Sequence, residues 1–305
     1  MSKWKHVILQ INALFIALLI PIPASAQTDN AQPFKVQITG SGHPMILIPG
    51  LSSSGDVWRE TVSRYQNSFE CHVFTLAGFA GQPPVQTDHY LQTMRDALIA
   101  YIRENDLKKP ILAGHSLGGF LSLWIAASIP ESVGSLIIVD AVPFLPALQN
   151  PATTVEFMRT PAEQTRAWIL SQTSEQREKA TPSMLKMMIT DPAKVDTAVV
   201  WSLSSDPNTV AQAMYEIFLT DLRTEIKKIQ TPVLVLGAWV SGQSQGATRE
   251  SSLSAYQKQY AHIENCEIWM TDTGKHFIMW DDPEGYFATI DAFLSHKTTA
   301  PQTPR

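Results

Sequence analysis

The stretch Gly114-His115-Ser116-Leu117-Gly118 sets a hydroxyl nucleophile between glycines. It follows the apolar run Pro110 to Ala113 and precedes a helix-like stretch from Leu117 to Ser128. In that strand–turn–helix setting, G-x-S-x-G holds a serine on a sharp, strained turn with its hydroxyl presented. Gly114 and Gly118 carry no side chains to crowd it. The helix N-terminus brings a backbone N–H and a partial positive charge beside the hydroxyl. Outside this setting the same letters are a common glycine-rich turn. Ser116 is the candidate nucleophile, and a serine needs a base. His276, in Thr273-Gly274-Lys275-His276-Phe277, follows the last apolar strand, precedes the last helix and lies C-terminal to the serine. His43, His72, His89, His262 and His296 read mostly as surface or turn residues, and His115 as a packing residue whose side chain points away from Ser116. A Ser–His pair performs acyl transfer with no metal or organic cofactor.

These residues need elements that present them together. Strand-like runs at Phe34–Thr39, Met45–Ile48, Cys71–Leu76, Pro110–Ala113, Leu136–Val139, Val233–Leu236 and Glu267–Met270 alternate with helix-like ones. The helices are expected at Val57–Tyr65, Asp88–Glu104, Leu117–Ser128, Glu250–Tyr260 and Pro283–Leu294. In Asp88–Glu104, Leu91, Met94, Leu98 and Ile102 fall on one helical face. Such alternation predicts a mostly parallel sheet with helices on both faces. It stops between Ala141 and Gln230, where no strand is evident. Helical stretches are expected there near Thr165–Ser171, Pro182–Ile189 and Val210–Asp221, broken at Asp191-Pro192 and Asp206-Pro207. The expected organisation is a core of residues 27–140 and 230–305, with 141–229 inserted as a helical cap.

The first residues read as a secretory signal peptide. Lys3 and Lys5 precede the apolar Val7–Ile20, then Pro21 and Pro23, then Ala24-Ser25-Ala26 as a small-x-small cleavage site. Cleavage after Ala26 would leave an exported, periplasmic or secreted chain. Losing Lys3 and Lys5 takes 23 basic residues to 21 against 28 acidic ones, and the net charge from −5 to −7. That acidic balance gives no support for nucleic-acid binding. Cys71 and Cys266 are the two cysteines. An oxidising compartment would permit a disulfide without establishing one.

With these stretches in view, the chain resembles the α/β-hydrolase superfamily over nearly all of its mature length. Ile48-Pro49-Gly50-Leu51 is similar to the family's oxyanion loop, with Pro49 where a histidine is usual. The resemblance implies the backbone N–H groups of Leu51 and Leu117 as oxyanion donors. Leu76-Ala77-Gly78-Phe79-Ala80-Gly81 is similar to the family's glycine loop, and Thr273–Phe277 to its catalytic-histidine loop. A serine in the elbow, rather than aspartate, argues against epoxide hydrolase and haloalkane dehalogenase chemistry. The implied activity is hydrolysis of small or medium apolar carboxylic esters through an acyl-enzyme. Lactone hydrolysis, carbon–carbon hydrolysis and a non-catalytic binding protein are the alternatives. The implied strand order sets Cys71 and Cys266 several strands apart, hence unbonded.

The third catalytic group is the open question. The family's usual acid follows the strand before the last, here in TPVLVLGAWVSGQSQG, residues 231–246, which contains no Asp or Glu. Val240 stands about where the carboxylate would be. Asp272 is close to His276 in the same loop. Asp281 and Asp282 look like caps of the last helix, Asp221 ends the insertion, and Glu250 lies in a surface helix. Asp140 ends the strand Leu136–Val139, at the same sheet edge as Ser116. Some members of the superfamily take their acid from this strand. Asp140 is the expected third member beside Ser116 and His276.

Overall fold

Strands buried on both faces need apolar residues at every position, and the continuous apolar runs of this sequence become the middle of a sheet. The structure, a computed structural model, describes residues 32–298. The signal-peptide reading of residues 1–26 lies outside them. In chain order, β1 (Phe34–Gly40) and β2 (His43–Ile48) lead into a 3₁₀ turn, Gly55–Trp58, and α1 (Arg59–Tyr65). Next come β3 (Phe69–Leu76), α2 (Tyr90–Glu104), β4 (Ile111–His115), α3 (Leu117–Ser128) and β5 (Ser135–Val139). Four helices follow: α4 (Val155–Ser171), α5 (Ser174–Lys186), α6 (Pro192–Leu203) and α7 (Pro207–Leu219). The chain closes with β6 (Val233–Gly237), α8 (Arg249–Gln259), β7 (Cys266–Met270), α9 (Ile278–Asp281) and α10 (Pro283–Thr298).

The sheet has seven strands in the order β1-β3-β2-β4-β5-β6-β7. Only β1 is antiparallel, paired along β3 at the edge. Neighbouring residues of each central strand serve opposite layers. Ile46, Ile48, Leu112, Leu136, Ile138, Val233 and Val235 pack with α2 and α3. Met45, Leu47, Ile111, Ala113, Ile137, Val139, Leu234 and Leu236 pack with Trp58, Tyr65 and the α10 residues Tyr286, Ile290 and Phe293. The parallel strands β4 and β5 run in register from Ile111 opposite Ser135 to His115 opposite Val139. That register brings Ser116 and Asp140, the residues after each strand, out at one edge.

The segment between β5 and β6 is helical, without a strand among its described residues. It differs from expectation in its boundaries. α4 begins ten residues earlier than the sequence suggested and carries Pro161 inside it; Thr154 caps it by accepting the Phe157 N–H. The Asp-Pro pairs expected to break helices start them instead. Asp191 accepts the Ala193 N–H and Asp206 the Thr209 N–H, each with proline in the first turn. Aspartate as N-cap and proline at the first helical position satisfy or remove donors that a helix leaves free. α6, which the sequence did not suggest, follows from the first pair. α5 begins at a capping box between Thr173 and Gln176. The insertion and the sheet belong to one compact unit.

Candidate functional site

Ser116 stands between β4 and α3 with φ 53 and ψ −118, left-handed backbone that a non-glycine residue adopts only under constraint. Two close approaches flank it and require glycine on either side. A Cβ added to Gly114 would lie 2.2 Å from the Gly118 carbonyl oxygen, and one on Gly118 would lie 2.1 Å from that of Ile48. The Ser116 N–H donates to the Val139 carbonyl at 2.9 Å, tying the turn to the end of β5. The loop after β2 presses on the same turn, since a Cβ on Gly50 would lie 3.2 Å from the Ser116 Cβ. Among the described residues the backbone N–H groups of Leu51 and Leu117 donate to no other group.

His276 follows β7 through a turn in which Thr271 Oγ1 accepts the Gly274 N–H at 2.8 Å. Its Nδ1 lies 2.6 Å from Asp140 Oδ2. A carboxylate only accepts, so Nδ1 carries a proton, and in the neutral imidazole this tautomer leaves the lone pair on Nε2. Asp140 has φ 47. Its N–H donates to the Leu236 carbonyl at 2.7 Å. Its Oδ1 accepts the Ala238 N–H at 2.7 Å and the Tyr256 hydroxyl at 2.6 Å. Burial first, then the Asp140 carboxylate, raise the Tyr256 hydroxyl well above its ordinary pKa, so it remains a donor. The Asp140 side chain is 13% exposed and that of His276 23%, which shields the pair while leaving the imidazole reachable. Ser116 and His276 form no hydrogen bond with each other among the described residues. Without substrate such bonds are often long and tighten later.

His115 is a packing residue, as expected, set against the loop that carries His276. It is buried, its Nε2 donates to the His276 carbonyl at 3.0 Å, and its ring packs 4.6 Å from both the His276 and Phe277 rings. Burial first, then the neighbouring His276, hold its pKa well below the usual histidine value. His72, expected at the surface or in a turn, is instead buried between Tyr101 and Glu70.

The structure brings Ser116, His276 and Asp140 to one edge and sends the other carboxylates elsewhere. Asp272 is 78% exposed and pairs with Arg249 at 2.9 Å. Glu250 is exposed in α8, and Asp221 holds Arg223. Asp282 caps α10 through the Gly285 N–H, as expected. Asp281 does not cap that helix: its carboxylate takes the Thr190 N–H at 2.9 Å. Val240 opens a 3₁₀ turn, Val240–Gln245, beside Trp239, whose indole N–H donates to the Thr271 carbonyl at 3.0 Å. The sequence did not point to Tyr256. Its only local signal is a large aromatic in an otherwise polar helix.

An imidazole whose Nδ1 is held by a carboxylate, at the sheet edge where a strained serine also emerges, is an arrangement able to draw a proton from a nucleophile. Comparison with known proteins identifies the family. A "Putative non-heme haloperoxidase" of Mycobacterium phage D29 is 29% identical over 114 residues, and the match spans 36% of this chain and 41% of the relative's length. The N-formylmaleamate deformylase of Pseudomonas putida is 20% identical over 261 residues, 84% of this chain and 90% of the relative. The esterase EaEST from Exiguobacterium antarcticum superposes with a TM-score of 0.70 at 15% identity, covering 86% of this chain and 95% of that one. The sequence profile described as the alpha/beta hydrolase family matches residues 45–289. The chain is a member of the alpha/beta hydrolase family.

Proposed function

We propose that the chain is an exported serine hydrolase that cleaves small carboxylic esters through an acyl-enzyme. Ser116 is the nucleophile, His276 the general base and Asp140 the acid. The observation that carries this reading is the 2.6 Å contact between His276 Nδ1 and Asp140 Oδ2, beside a serine strained at φ 53. His276 takes the Ser116 proton as Oγ attacks the acyl carbon. Asp140 fixes the tautomer and stabilises the imidazolium. The Leu51 and Leu117 N–H groups, which have no other acceptor among the described residues, receive the developing oxyanion; a donor of this kind is worth about 3 kcal/mol. His276 then protonates the leaving alcohol, and water activated by the same imidazole releases the acid. The four-helix insertion serves as the cap. Met184 and Met187 are exposed on it, and adaptable thioethers suit apolar acyl groups of varied shape. Export rests on residues 1–26, and the mass of the mature protein, starting at Gln27, checks it.

A fluorophosphonate probe should label the wild type and leave Ser116→Ala unlabelled. Asp140→Asn should fold and lose up to about 10⁴-fold in kcat, the loss seen for the equivalent change in a protease triad. A series of p-nitrophenyl esters of graded length, run beside lactones, then identifies the acyl class. Labelling of Ser116→Ala equal to wild type, or near-full activity in Asp140→Asn, would overturn the mechanism.

A further inference from the structure

The backbone around His276 is fastened residue by residue, and much of the fastening comes from the insertion. The Lys275 N–H donates to Asp281 Oδ2 at 3.1 Å. The His276 carbonyl accepts from His115. The Phe277 N–H donates to the Met188 carbonyl, in the turn between α5 and α6, at 3.3 Å. Asp281 also reaches that turn: its Oδ1 accepts the Thr190 N–H at 2.9 Å and its Oδ2 the Thr190 hydroxyl at 3.1 Å. One carboxylate thus joins the residue before His276 to a residue of the insertion. The Lys275 ammonium crosses the same seam, donating to the carbonyls of Lys186 at 2.8 Å and Ile189 at 3.4 Å. Rings continue the contact, with Trp201 of α6 5.7 Å from Trp280, and Trp280 stacked 4.9 Å from Phe277.

We propose that Asp281 is a positioning residue: by binding Thr190 and the Lys275 N–H together, it makes the α5–α6 turn part of the frame that aims the His276 imidazole at Ser116. The proposal rests on the reading of His276 as the base. The mechanics are simple. The imidazole must face Asp140 on one side and Ser116 on the other, and an error of about 1 Å can cost roughly 10²-fold in rate. Asp140 fixes one ring nitrogen but leaves the ring free to tilt about that bond. The peptide frame removes the tilt, and within it the Asp281 carboxylate grips the loop backbone and the insertion at once. The insertion therefore bears on kcat through the histidine, separately from any contact it makes with substrate.

The test compares wild type, His276→Ala, Asp281→Ala, Asp281→Asn and Thr190→Val, each followed by thermal unfolding and by kcat and KM on p-nitrophenyl acetate across pH. Asp281→Ala is expected to unfold cooperatively, hold KM, and lose about 10- to 100-fold in kcat. Asp281→Asn keeps one acceptor and should recover part of kcat. Thr190→Val should move in the same direction by less. A folded Asp281→Ala with wild-type kcat, or one whose loss lies in KM with kcat unchanged, overturns the proposal and leaves His276 as base. Activity retained in His276→Ala would overturn the underlying reading instead. If Asp281→Ala does not fold, Thr190→Val decides: lowered kcat at constant KM supports the proposal, and wild-type kcat sinks it.

Discussion

Asp140 meets donors on both oxygens: one is held by a backbone amide and a tyrosine, the other by the imidazole. His115, packed against the His276 loop, has the opposite character, a buried histidine whose neutral form burial favours. An unfolded histidine takes up a proton near pH ~6.5. Below that pH the unfolded chain binds a proton that the native chain refuses, so stability is present above it and is lost as pH falls. The loss is about 1.4 kcal/mol per pH unit until His115 itself titrates. His115→Gln should therefore be less stable than wild type at neutral pH yet decline less steeply in acid. Urea midpoints from about pH 7.5 down to 5.5, chosen around ~6.5, measure this, and equal slopes for both proteins would refute it. Residue by residue, Ser116 and His276 were legible because each sits in a local strand–turn or turn–helix pattern. Asp140 emerged from the lack of any carboxylate near Val240. Tyr256 was not legible, because its role arises only when α8 folds back against the end of β5, a contact spanning 116 residues of sequence.

At the scale of elements, the start of α3 is pressed against the end of β2 without room for one methyl group. Gly118→Ala would set its Cβ 2.1 Å from the Ile48 carbonyl oxygen and 2.6 Å from that of Pro49, both backbone atoms. The expected cost reaches or passes about 3 kcal/mol, the upper range for overpacking. Gly246→Ala is the control. That glycine has φ 89, but a methyl placed there would meet nothing within 4 Å, so only the left-handed strain remains, about 1–2 kcal/mol. Equal urea midpoints for the two variants would mean that the α3–β2 approach yields easily. The central strands were readable because burial on both faces leaves an uninterrupted apolar run. The insertion was harder. Proline inside α4, and proline at the starts of α6 and α7, look alike in sequence but mark an interior in one case and a beginning in the others.

Across the whole molecule, the strand order separates the two cysteines. β3 and β7 stand five ladder steps apart in the sheet, about 24 Å at ~4.8 Å per step, far beyond the ~7 Å Cα separation that a disulfide spans. Both thiols are free. Burial pushes Cys71 up to about 11 and Cys266 up to about 12, so neither is a thiolate at neutral pH. A thiol reagent should react slowly with native protein and titrate both cysteines in the denatured, unreduced chain; their absence from that titration would contradict the fold. The overall order of strands was legible from the resemblance, whereas the seams between core and insertion, made of single side chains such as Asp281, which takes the Thr190 N–H, and Glu216 of α7, which takes the Tyr90 and Leu91 N–H groups at the start of α2, were not. Ser116 and Asp140 close the ends of adjacent strands in one β–α–β unit, and the segment Val240–Gln245, where the resemblance places the family's usual carboxylate, contains no Asp or Glu. On the proposed mechanism that loop takes no part in proton transfer, so replacing Ser241 or Gln243 by alanine should leave kcat near the wild-type value.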